Sequence, residues 1–199
     1  MTKSLFSDFL KKKAELNKQA ISSLVNSKNI DVFTEILESL FSSIINGGKL
    51  IVAGNGGSFA DAQHMSAELV SRLKRDRDPL PAIALGTNSS LITAISNDYS
   101  FEHSFSRELA TLVNLKDTII LISTSGSSPN IVHAAKVAIN KKIKAFGLTG
   151  SMNGELASLI PCIEVDSSIT TTIQECHLLI EHSICELLEE KLFESGHLR

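Results

Sequence analysis

The sequence contains no tryptophan, one tyrosine, four prolines and three cysteines in 199 residues. The cysteines, Cys162, Cys176 and Cys185, are odd in number and lack CxxC spacing, so we expect reduced thiols and a cytoplasmic protein. No apolar run is long enough to span a bilayer, and residues 1–16 lack the apolar core of a signal peptide. We therefore expect no membrane association.

The chain also lacks an excess of positive charge. Its 19 Lys and Arg residues are outnumbered by 22 Asp and Glu residues, which gives a net charge of −3. An electrostatic surface for nucleic acid is therefore not expected. Repeats, low-complexity tracts and Pro/Gly-rich linkers are missing as well, so the sequence predicts a single domain over residues 1–199.

Two patterns divide this domain. Up to residue 47, apolar residues recur with helical spacing, which predicts an N-terminal pair of helices. Beyond it, short apolar runs alternate with helical stretches, as in βαβ units with a parallel sheet between two helical layers. The sequence thus predicts an α/β three-layer sandwich with a five-stranded parallel sheet. The predicted strands are residues 49–53, 82–85, 117–122, 144–148 and 162–165.

The last part of the chain predicts one long helix over about residues 171–194. Thr172 and Glu175 fit the T-x-x-E pattern of a capping box near its start, in which two side chains satisfy free N–H groups. This helix also carries the histidine and glutamine side chains that are candidates for chemistry.

Two loops of small residues follow predicted strands and lead into helices: AGNGGSFADAQH (53–64) and STSGSSP (123–129). Ligands of parallel sheets bind at the carboxyl ends of the strands, and a helix N-terminus favours an anion. Ser128 followed by Pro129 is typical of a helix start. The simpler alternative is a turn that only caps the helix. The hydroxyl groups predict a phosphate site formed by Ser123, Thr124, Ser125 and Ser128.

Other ligand and reaction classes are disfavoured by missing motifs. Gly54 and Gly56 fit the first and third positions of the dinucleotide fingerprint, but Phe59 stands where its third glycine belongs. The sequence has no GxxxxGK[ST] of a P-loop NTPase and no G-x-S-x-G elbow of a serine hydrolase.

Taken together, the motifs AGNGGSFADAQHMSAE, PAIAL, AISND, ISTSGSS, LTG and IQECH, followed by His182, resemble the SIS (sugar isomerase) family, whose fold is flavodoxin-like. More narrowly, they are similar to the sedoheptulose 7-phosphate isomerases, or phosphoheptose isomerases, over nearly the whole chain. The resemblance implies conversion of sedoheptulose 7-phosphate to D-glycero-D-manno-heptose 7-phosphate through an enediol. This is the first step towards activated heptose for lipopolysaccharide or capsule.

The same resemblance implies the site residues. Glu68 and His182 are implied as the catalytic base and acid, and His64, Glu68, Gln174 and His182 as ligands of one zinc ion per subunit. A zinc-bound carboxylate is a poorer base, so the two roles of Glu68 compete. The implied sugar and phosphate contacts are Asn55, Gly56, Gly57, Ser58, Glu68, Asn97, Asp98, Ser123, Thr124, Ser125, Ser128 and Gln174.

Helical spacing adds a geometric expectation. His64 and Glu68 are four residues apart and share one helix face. Gln174 and His182 are eight residues apart, about 12 Å along the helix axis and about 80° around it. We therefore expect a neighbouring chain to supply part of the set. A homotetramer, which the resemblance implies, would also cover the apolar surface of the N-terminal and final helices.

Simpler interpretations exist for most of these residues. In these, His64 only pairs with Glu68, His182 is a hydrogen-bonded core histidine, and Asn97-Asp98 is a helix-ending turn. Residues 72–78, RLKRDRD, are interpreted as a solvent-exposed face. Thr172 stands where members of the family often have arginine. A contact of that arginine with the sugar or with a carboxylate is therefore in doubt for this chain.

Two alternatives concern the whole protein. A relative with the same fold lacks isomerase chemistry and binds the bacterial replication initiator as a scaffold. Another branch of the superfamily isomerises pentose or amino-sugar phosphates. The presence of GNGGS, Glu68 and His182 favours an enzyme over the scaffold, whereas the sequence carries no direct measure of sugar length.

Overall fold

The computed structural model describes residues 3–151 and 154–198. Helices α1 and α2 form the N-terminal pair, and strands and helices then alternate to the end. The helices are α1 Lys3–Ser23, α2 Ser27–Ile45, α3 Gly57–Val70, α4 Ser89–Asp98, α5 Ser104–Leu112, α6 Pro129–Asn140, α7 Glu155–Leu159 and α8 Thr170–Glu194, with a 3₁₀ turn Phe101–His103. The strands are β1 Leu50–Gly54, β2 Ala82–Ala84, β3 Thr118–Ser123, β4 Lys144–Gly150 and β5 Cys162–Val165.

The five strands form one sheet in the order β2-β1-β3-β4-β5, and every pairing is parallel. The predicted fold class is therefore confirmed, with each predicted strand in place. The strand order changes direction between β1 and β3. The chain leaves β1 towards β2 at one edge of the sheet and leaves β3 towards β4 on the other side. In such a flavodoxin-like sheet, the crevice at this reversal is where ligands bind.

Two apolar clusters cover the two faces of the sheet. Along β1, Leu50 and Val52 belong to the cluster shared with α2, α3 and α8, whereas Ile51 and Ala53 belong to the one shared with α5 and α6. This alternation follows the two-residue period of a strand, and burial on both faces explains why the strands are almost wholly apolar. The arrangement gives the three layers that the sequence predicted.

The two N-terminal helices differ in how they pack. Helix α2 buries Ile36 and Leu40 completely against the sheet, whereas α1 buries only Ala20 among its described residues. Phe6, Phe9 and Leu10 on α1 are each at least half exposed. One sheet organises all of these elements, and the boundary of a single domain at residues 1–199 stays a prediction.

The capping box predicted near the start of α8 was wrong. The helix begins at Thr170, so Thr172 lies inside the first turn and is 1% exposed. Its hydroxyl group donates to the Asn17 side-chain oxygen of α1 at 3.0 Å, and the Asn17 amide group bonds Glu175. Thr172 and Glu175 therefore bond Asn17 of α1 and do not cap α8.

Within the described parts of the chain, no helix is both long and apolar enough to cross a membrane.

Candidate active site

The two loops singled out in the sequence lie side by side in the structure. Loop 55–56 follows β1 and loop 124–128 follows β3, and these strands are neighbours in which Gly54, the last residue of β1, pairs with Ile122. Both loops thus lie at the strand-order reversal. Because each loop enters a helix, the amino ends of α3 and α6 face the same crevice.

The hydroxyl groups of the second loop converge. Ser123 Oγ lies 3.0 Å from Ser128 Oγ and 3.5 Å from Ser125 Oγ. Gly126 has a φ of 65°, which glycine adopts without strain, and it closes the turn through its N–H on the Ser123 carbonyl at 2.9 Å. Ser128 is the N-cap of α6, with Pro129 after it, but its side chain makes no capping bond to the helix. A turn that only caps the helix does not explain this cluster.

The first loop is shaped by backbone packing. A Cβ atom on Gly54 would lie 2.2 Å from the Ser58 carbonyl oxygen, and Gly56 has a φ of 56°. Ser58 is buried, whereas Gly56 and Gly57 are exposed. The exposed main chain at the start of α3 is therefore open to a ligand.

A pair of asparagine side chains joins the two loops. The Asn55 amide group donates to Asn130 Oδ1 at 2.8 Å, and the Asn130 amide group donates back to Asn55 Oδ1 at 2.9 Å. Asn130 is 2% exposed and lies next to Pro129 in the first turn of α6. The sequence analysis did not identify Asn130, because a lone asparagine after a proline predicts only a helix start.

Further along α3, three candidate side chains meet. His64 Nε2 lies 2.8 Å from His182 Nε2 of α8 and 3.5 Å from Glu68 Oε1, and one ligand atom from each of the three lies within 4.8 Å of the others. His64 is exposed, and Glu68 and His182 are half-buried. The interpretation of His182 as a core histidine therefore does not describe it. A single chain brings Glu68 and His182 together, so a neighbouring chain is not needed for this pair.

Gln174 occupies a different position. A Cβ atom on Gly57 would lie 2.2 Å from the Gln174 amide nitrogen, so this side chain rests on the first turn of α3. His64 lies seven residues further along α3, a rise of about 10 Å. Helices α3 and α8 run parallel, with Gln174 beside Gly57 and His182 beside His64. The separation expected between Gln174 and His182 is thus present.

Asn97 and Asp98 form the exposed end of α4, and the Asn97 amide group donates to Asp98 Oδ1 at 2.9 Å. Asp98 lines a cleft of about 880 Å³ between α4 and α5, together with Tyr99 and Arg107. These contacts describe a helix-ending turn and do not bring the two side chains to the serine loop. Their predicted contact with the sugar stays a prediction.

Two buried titratable groups, His177 and Glu181, lie on α8 near His182, and the half-buried Asp61 of α3 interacts with Glu181. Burial and the nearby Asp61 raise the pKa of Glu181 to about 9, and burial lowers the pKa of His177 to about 4. Burial also raises the pKa of Asp61, which His64 partly offsets. Among the described residues, the carboxyl oxygens of Glu181 have no hydrogen-bond partner, and the main chain of Thr149 offsets part of the effect of burial on the pKa of His177. Neither His177 nor Glu181 was predicted as a site residue from the sequence.

Comparison with known proteins gives the class to which this fold and site belong. The family model described as SIS domain matches residues 15–150. The chain belongs to this family, as the motifs of both loops predicted.

Relatives within the family are phosphoheptose isomerases. One from Burkholderia pseudomallei is 42% identical over 181 residues, covering 90% of this chain and 92% of that protein. One from Aneurinibacillus thermoaerophilus is 45% identical over 187 residues, covering 89% and 94%. The solved phosphoheptose isomerase structure from Francisella tularensis has a TM-score of 0.87 at 34% identity, covering 96% of this chain and all 100% of that one. The one from Neisseria gonorrhoeae gives 0.83 at 32% identity, covering 94% and 98%.

Proposed function

We propose that the protein is an aldose–ketose isomerase that converts sedoheptulose 7-phosphate to D-glycero-D-manno-heptose 7-phosphate through an enediol, the first step of activated-heptose synthesis for lipopolysaccharide or capsule. The relatives support this activity through their name, phosphoheptose isomerase, at 42% and 45% identity over most of their length. The observation that carries the proposal is the meeting of His64, Glu68 and His182 on helices that start beside a cluster of hydroxyl groups.

The serine loop and the histidine pair would bind opposite ends of an extended sugar phosphate. Ser123, Thr124, Ser125 and Ser128 would hold the phosphate at the amino end of α6, where free N–H groups favour an anion. The histidine pair lies about 10 Å along α3 from the glycine loop. Asn55, Gly56, Gly57, Ser58 and Gln174 lie in or against that loop, where the sugar hydroxyl groups would pass.

The proposed chemistry is a proton transfer between neighbouring carbons. Glu68 would take the carbon-bound proton, because a carboxylate within reach of C1 and C2 can act as a general base. His182 would donate to and accept from the two oxygens, since an imidazole can do both near neutral pH. Holding the phosphate fixes the reacting carbons against these groups.

The donor set also fits a zinc ion. Two imidazole Nε2 atoms 2.8 Å apart cannot both carry a proton that points at the other, so a shared cation suits them as well as a shared proton. Two imidazoles and a carboxylate are common zinc ligands. We propose His64, Glu68 and His182 as zinc ligands, with Gln174 as a fourth if its side chain turns from Gly57 towards them. When bound, zinc would supply a Lewis acid that polarises the carbonyl group.

We further propose that the protein is a cytoplasmic homotetramer. Phe6, Phe9 and Leu10 leave an apolar surface on α1, and large exposed apolar surfaces commonly mark subunit contacts. The three cysteines are free and buried, as suits a reducing compartment. Light scattering at micromolar concentration should give four times the 21.5 kDa mass of the chain. A monomer mass would refute the tetramer.

One assay tests the proposed activity. Purified protein is incubated with sedoheptulose 7-phosphate, and the aldoheptose phosphate is followed by chromatography. Ribulose 5-phosphate and fructose 6-phosphate serve as shorter substrates, because turnover of one of these instead would favour an isomerase of another sugar phosphate. No turnover of any of them, with or without added zinc, would favour a non-catalytic scaffold that binds the replication initiator. Glu68→Gln should be inactive, which guards against a contaminating isomerase.

A further inference from the structure

Arg77 is buried, although it lies in the charged segment 72–78 that the sequence analysis interpreted as solvent-exposed. Its side chain is 1% exposed and forms an ion pair with Glu189 of α8, with Nε 2.6 Å from Oε1. The interpretation of this segment was wrong at Arg77, since the side chain turns inward between the end of α3 and α8.

The rest of the guanidinium group holds main-chain carbonyl groups. Nη2 donates to the carbonyl oxygen of Glu68 at 3.1 Å, and Nη1 donates to that of Leu69 at 2.8 Å and that of Asp78 at 3.1 Å. Glu68 and Leu69 are in the last turn of α3, where carbonyl groups have no partner within the helix. Arg77 thus completes the end of the helix that carries Glu68.

Glu189 also accepts hydrogen bonds from the main chain just before Arg77. Its second oxygen accepts from the N–H groups of Lys74 and Arg75, both at 3.1 Å. Burial alone would raise the pKa of Glu189, but the bonds from Arg77 and these N–H groups bring the pKa below its usual value. Glu189 is therefore ionised at neutral pH, and its buried charge is compensated by Arg77 and by two main-chain N–H groups.

The position of this pair relates it to the site. Glu189 lies seven residues after His182, about two turns along the same side of α8. Arg77 bonds the main chain of Glu68 itself. Arg77 therefore connects the main chain of Glu68, the proposed base, with helix α8, which carries the proposed acid His182.

We propose that Arg77 is a positioning residue which sets the distance and orientation of Glu68 relative to His182. The proposal rests on the proposed function, because it assigns Arg77 a task at the site that Glu68 and His182 form. Arg77 holds the last turn of α3 by its carbonyl groups and holds α8 through Glu189, so the two helices cannot slide past each other without breaking a buried ionic bond. Lysine cannot replace it, because a single ammonium group cannot reach Glu189 and the carbonyl groups of Glu68 and Leu69 in their different directions.

The variant Arg77→Lys tests this proposal, because it keeps the charge and removes the fork. Lys49→Met is the matched control. Lys49 also pairs with a buried carboxylate, Asp117, at 2.8 Å, and with the carbonyl group of Leu112 at the end of α5, at 3.0 Å. It lies beside the amino end of β1, opposite the site. The control thus breaks another ion pair to a buried carboxylate, and removes its positive charge as well, at a place where Glu68 and His182 are not held.

Two readouts separate positioning from general stability. In steady-state kinetics, Arg77→Lys should lower kcat about 10-fold or more with KM changed less than about 3-fold, because the phosphate anchor is untouched. In nitrogen NMR of histidine-labelled, metal-free protein, the ring signals of His64 and His182 should shift in Arg77→Lys and stay in place in Lys49→Met. Those signals are assigned from their loss in His64→Gln and His182→Gln.

The second readout needs no enzymatic activity, so it also decides the matter if the proposed function fails. An unshifted histidine pair in Arg77→Lys, or equal falls in kcat for Arg77→Lys and Lys49→Met, would overturn the positioning role. If Arg77→Lys does not fold, Glu189→Gln is measured in its place. It keeps the side-chain shape and removes the ionic bond, and the same outcomes apply to it.

Discussion

At the scale of single residues, the serine loop shows how local chemistry is built from hydroxyl groups. Ser123 is buried at the end of β3, and its hydroxyl group meets those of Ser125 and Ser128. Three hydroxyl groups that share hydrogen bonds can each turn a proton towards a phosphate oxygen, because the hydroxyl hydrogen rotates freely. A helix N-terminus beside them adds further donors.

Ser125→Ala and Ser128→Ala should therefore weaken substrate binding. Each removes a hydrogen bond to a charged group, worth about 1–3 kcal/mol, so KM should rise about 5- to 150-fold with little change in kcat. Steady-state kinetics with sedoheptulose 7-phosphate measures both. Ser127→Ala is the control, since Ser127 is exposed and its hydroxyl group donates to the Ser125 carbonyl at the long distance of 3.4 Å. An unchanged KM in both test variants would argue against the phosphate assignment.

At the scale of elements, the site depends on how β1 turns into α3. Only two residues separate the strand from the helix, and the chain reverses within them. Gly54 lies against the Ser58 main chain, and Gly56 adopts a positive φ with free space around it. The two glycines are therefore needed for different reasons, one for space and the other for conformation.

Gly54→Ala should destabilise the fold more than Gly56→Ala. At Gly54 the new methyl group would lie 2.2 Å from a backbone oxygen that no side-chain rotation can move, which should cost about 3 kcal/mol or more. At Gly56 the cost is the backbone conformation alone (φ 56°, ψ −118°), which favours glycine and should cost an alanine about 1–3 kcal/mol. Urea unfolding at one fixed protein concentration compares them. Equal losses would show that the turn relaxes around Gly54.

The packing of α8 on α3 predicts a dependence of stability on pH. Glu181 is 1% exposed, and burial and Asp61 raise its pKa to about 9. An acid whose pKa is raised on folding contributes full stability below its unfolded value of 4.5, and this stability is lost as pH rises towards 9. His177, with a pKa lowered to about 4, loses stability in the opposite direction, as pH falls below 6.5. Two further titratable groups act near Glu181. Cys185 on α8 interacts with Glu181 electrostatically, and His64 interacts with Asp61, which in turn faces Glu181.

Of these two groups, only Glu181 changes the free energy of unfolding between pH 6.5 and 8.5. The free energy of unfolding of metal-free protein should therefore fall with rising pH, by up to about 1.4 kcal/mol per pH unit. Glu181→Gln should remove this slope, whereas Glu190→Gln, at an exposed position of α8, should retain it. Urea titrations at three pH values provide the measurement. If the slopes of wild type and Glu181→Gln agree, Glu181 is not protonated in the folded protein.

At the scale of the whole molecule, the question is which parts of the site one chain supplies. His64, Glu68 and His182 meet within one chain, whereas Gln174 lies about two turns before His182 on α8, against Gly57. Helix α1 reaches across to α8 through Asn17 and leaves its first half exposed. The tetramer that we propose would thus cover α1 without being needed to bring the base and acid together.

Mixed oligomers test this point. Glu68→Gln and His182→Gln are each expected to lower kcat at least about 100-fold, because each removes a general acid or base. When the two variants are refolded together, activity should not return, since every chain then carries one defective residue of the pair. Mass spectrometry must first show that the oligomers are mixed. Recovered activity would mean that Glu68 and His182 act across a subunit interface.

The sequence by itself determined the fold class and the family. Alternating strand and helix periods are local properties, and apolar strands must be buried on both faces, so the parallel sheet followed from them. The small residues of the two loops and the residue types at His64, Glu68 and His182 indicated the family, which the comparison with known relatives confirmed.

Only the tertiary structure decided which distant side chains meet. Residues 72–78 look like a solvated charged face because charge predicts exposure, yet Arg77 turns inward, since the carbonyl groups at the end of α3 and the Glu189 carboxylate lie there. Asn130 and Glu181 have no pattern in the sequence, because their roles depend on Asn55 and Asp61, about 75 and 120 residues away. Periodicity fixes which face of a helix a residue occupies, but the packing of α3 against α8 fixes what that face contacts.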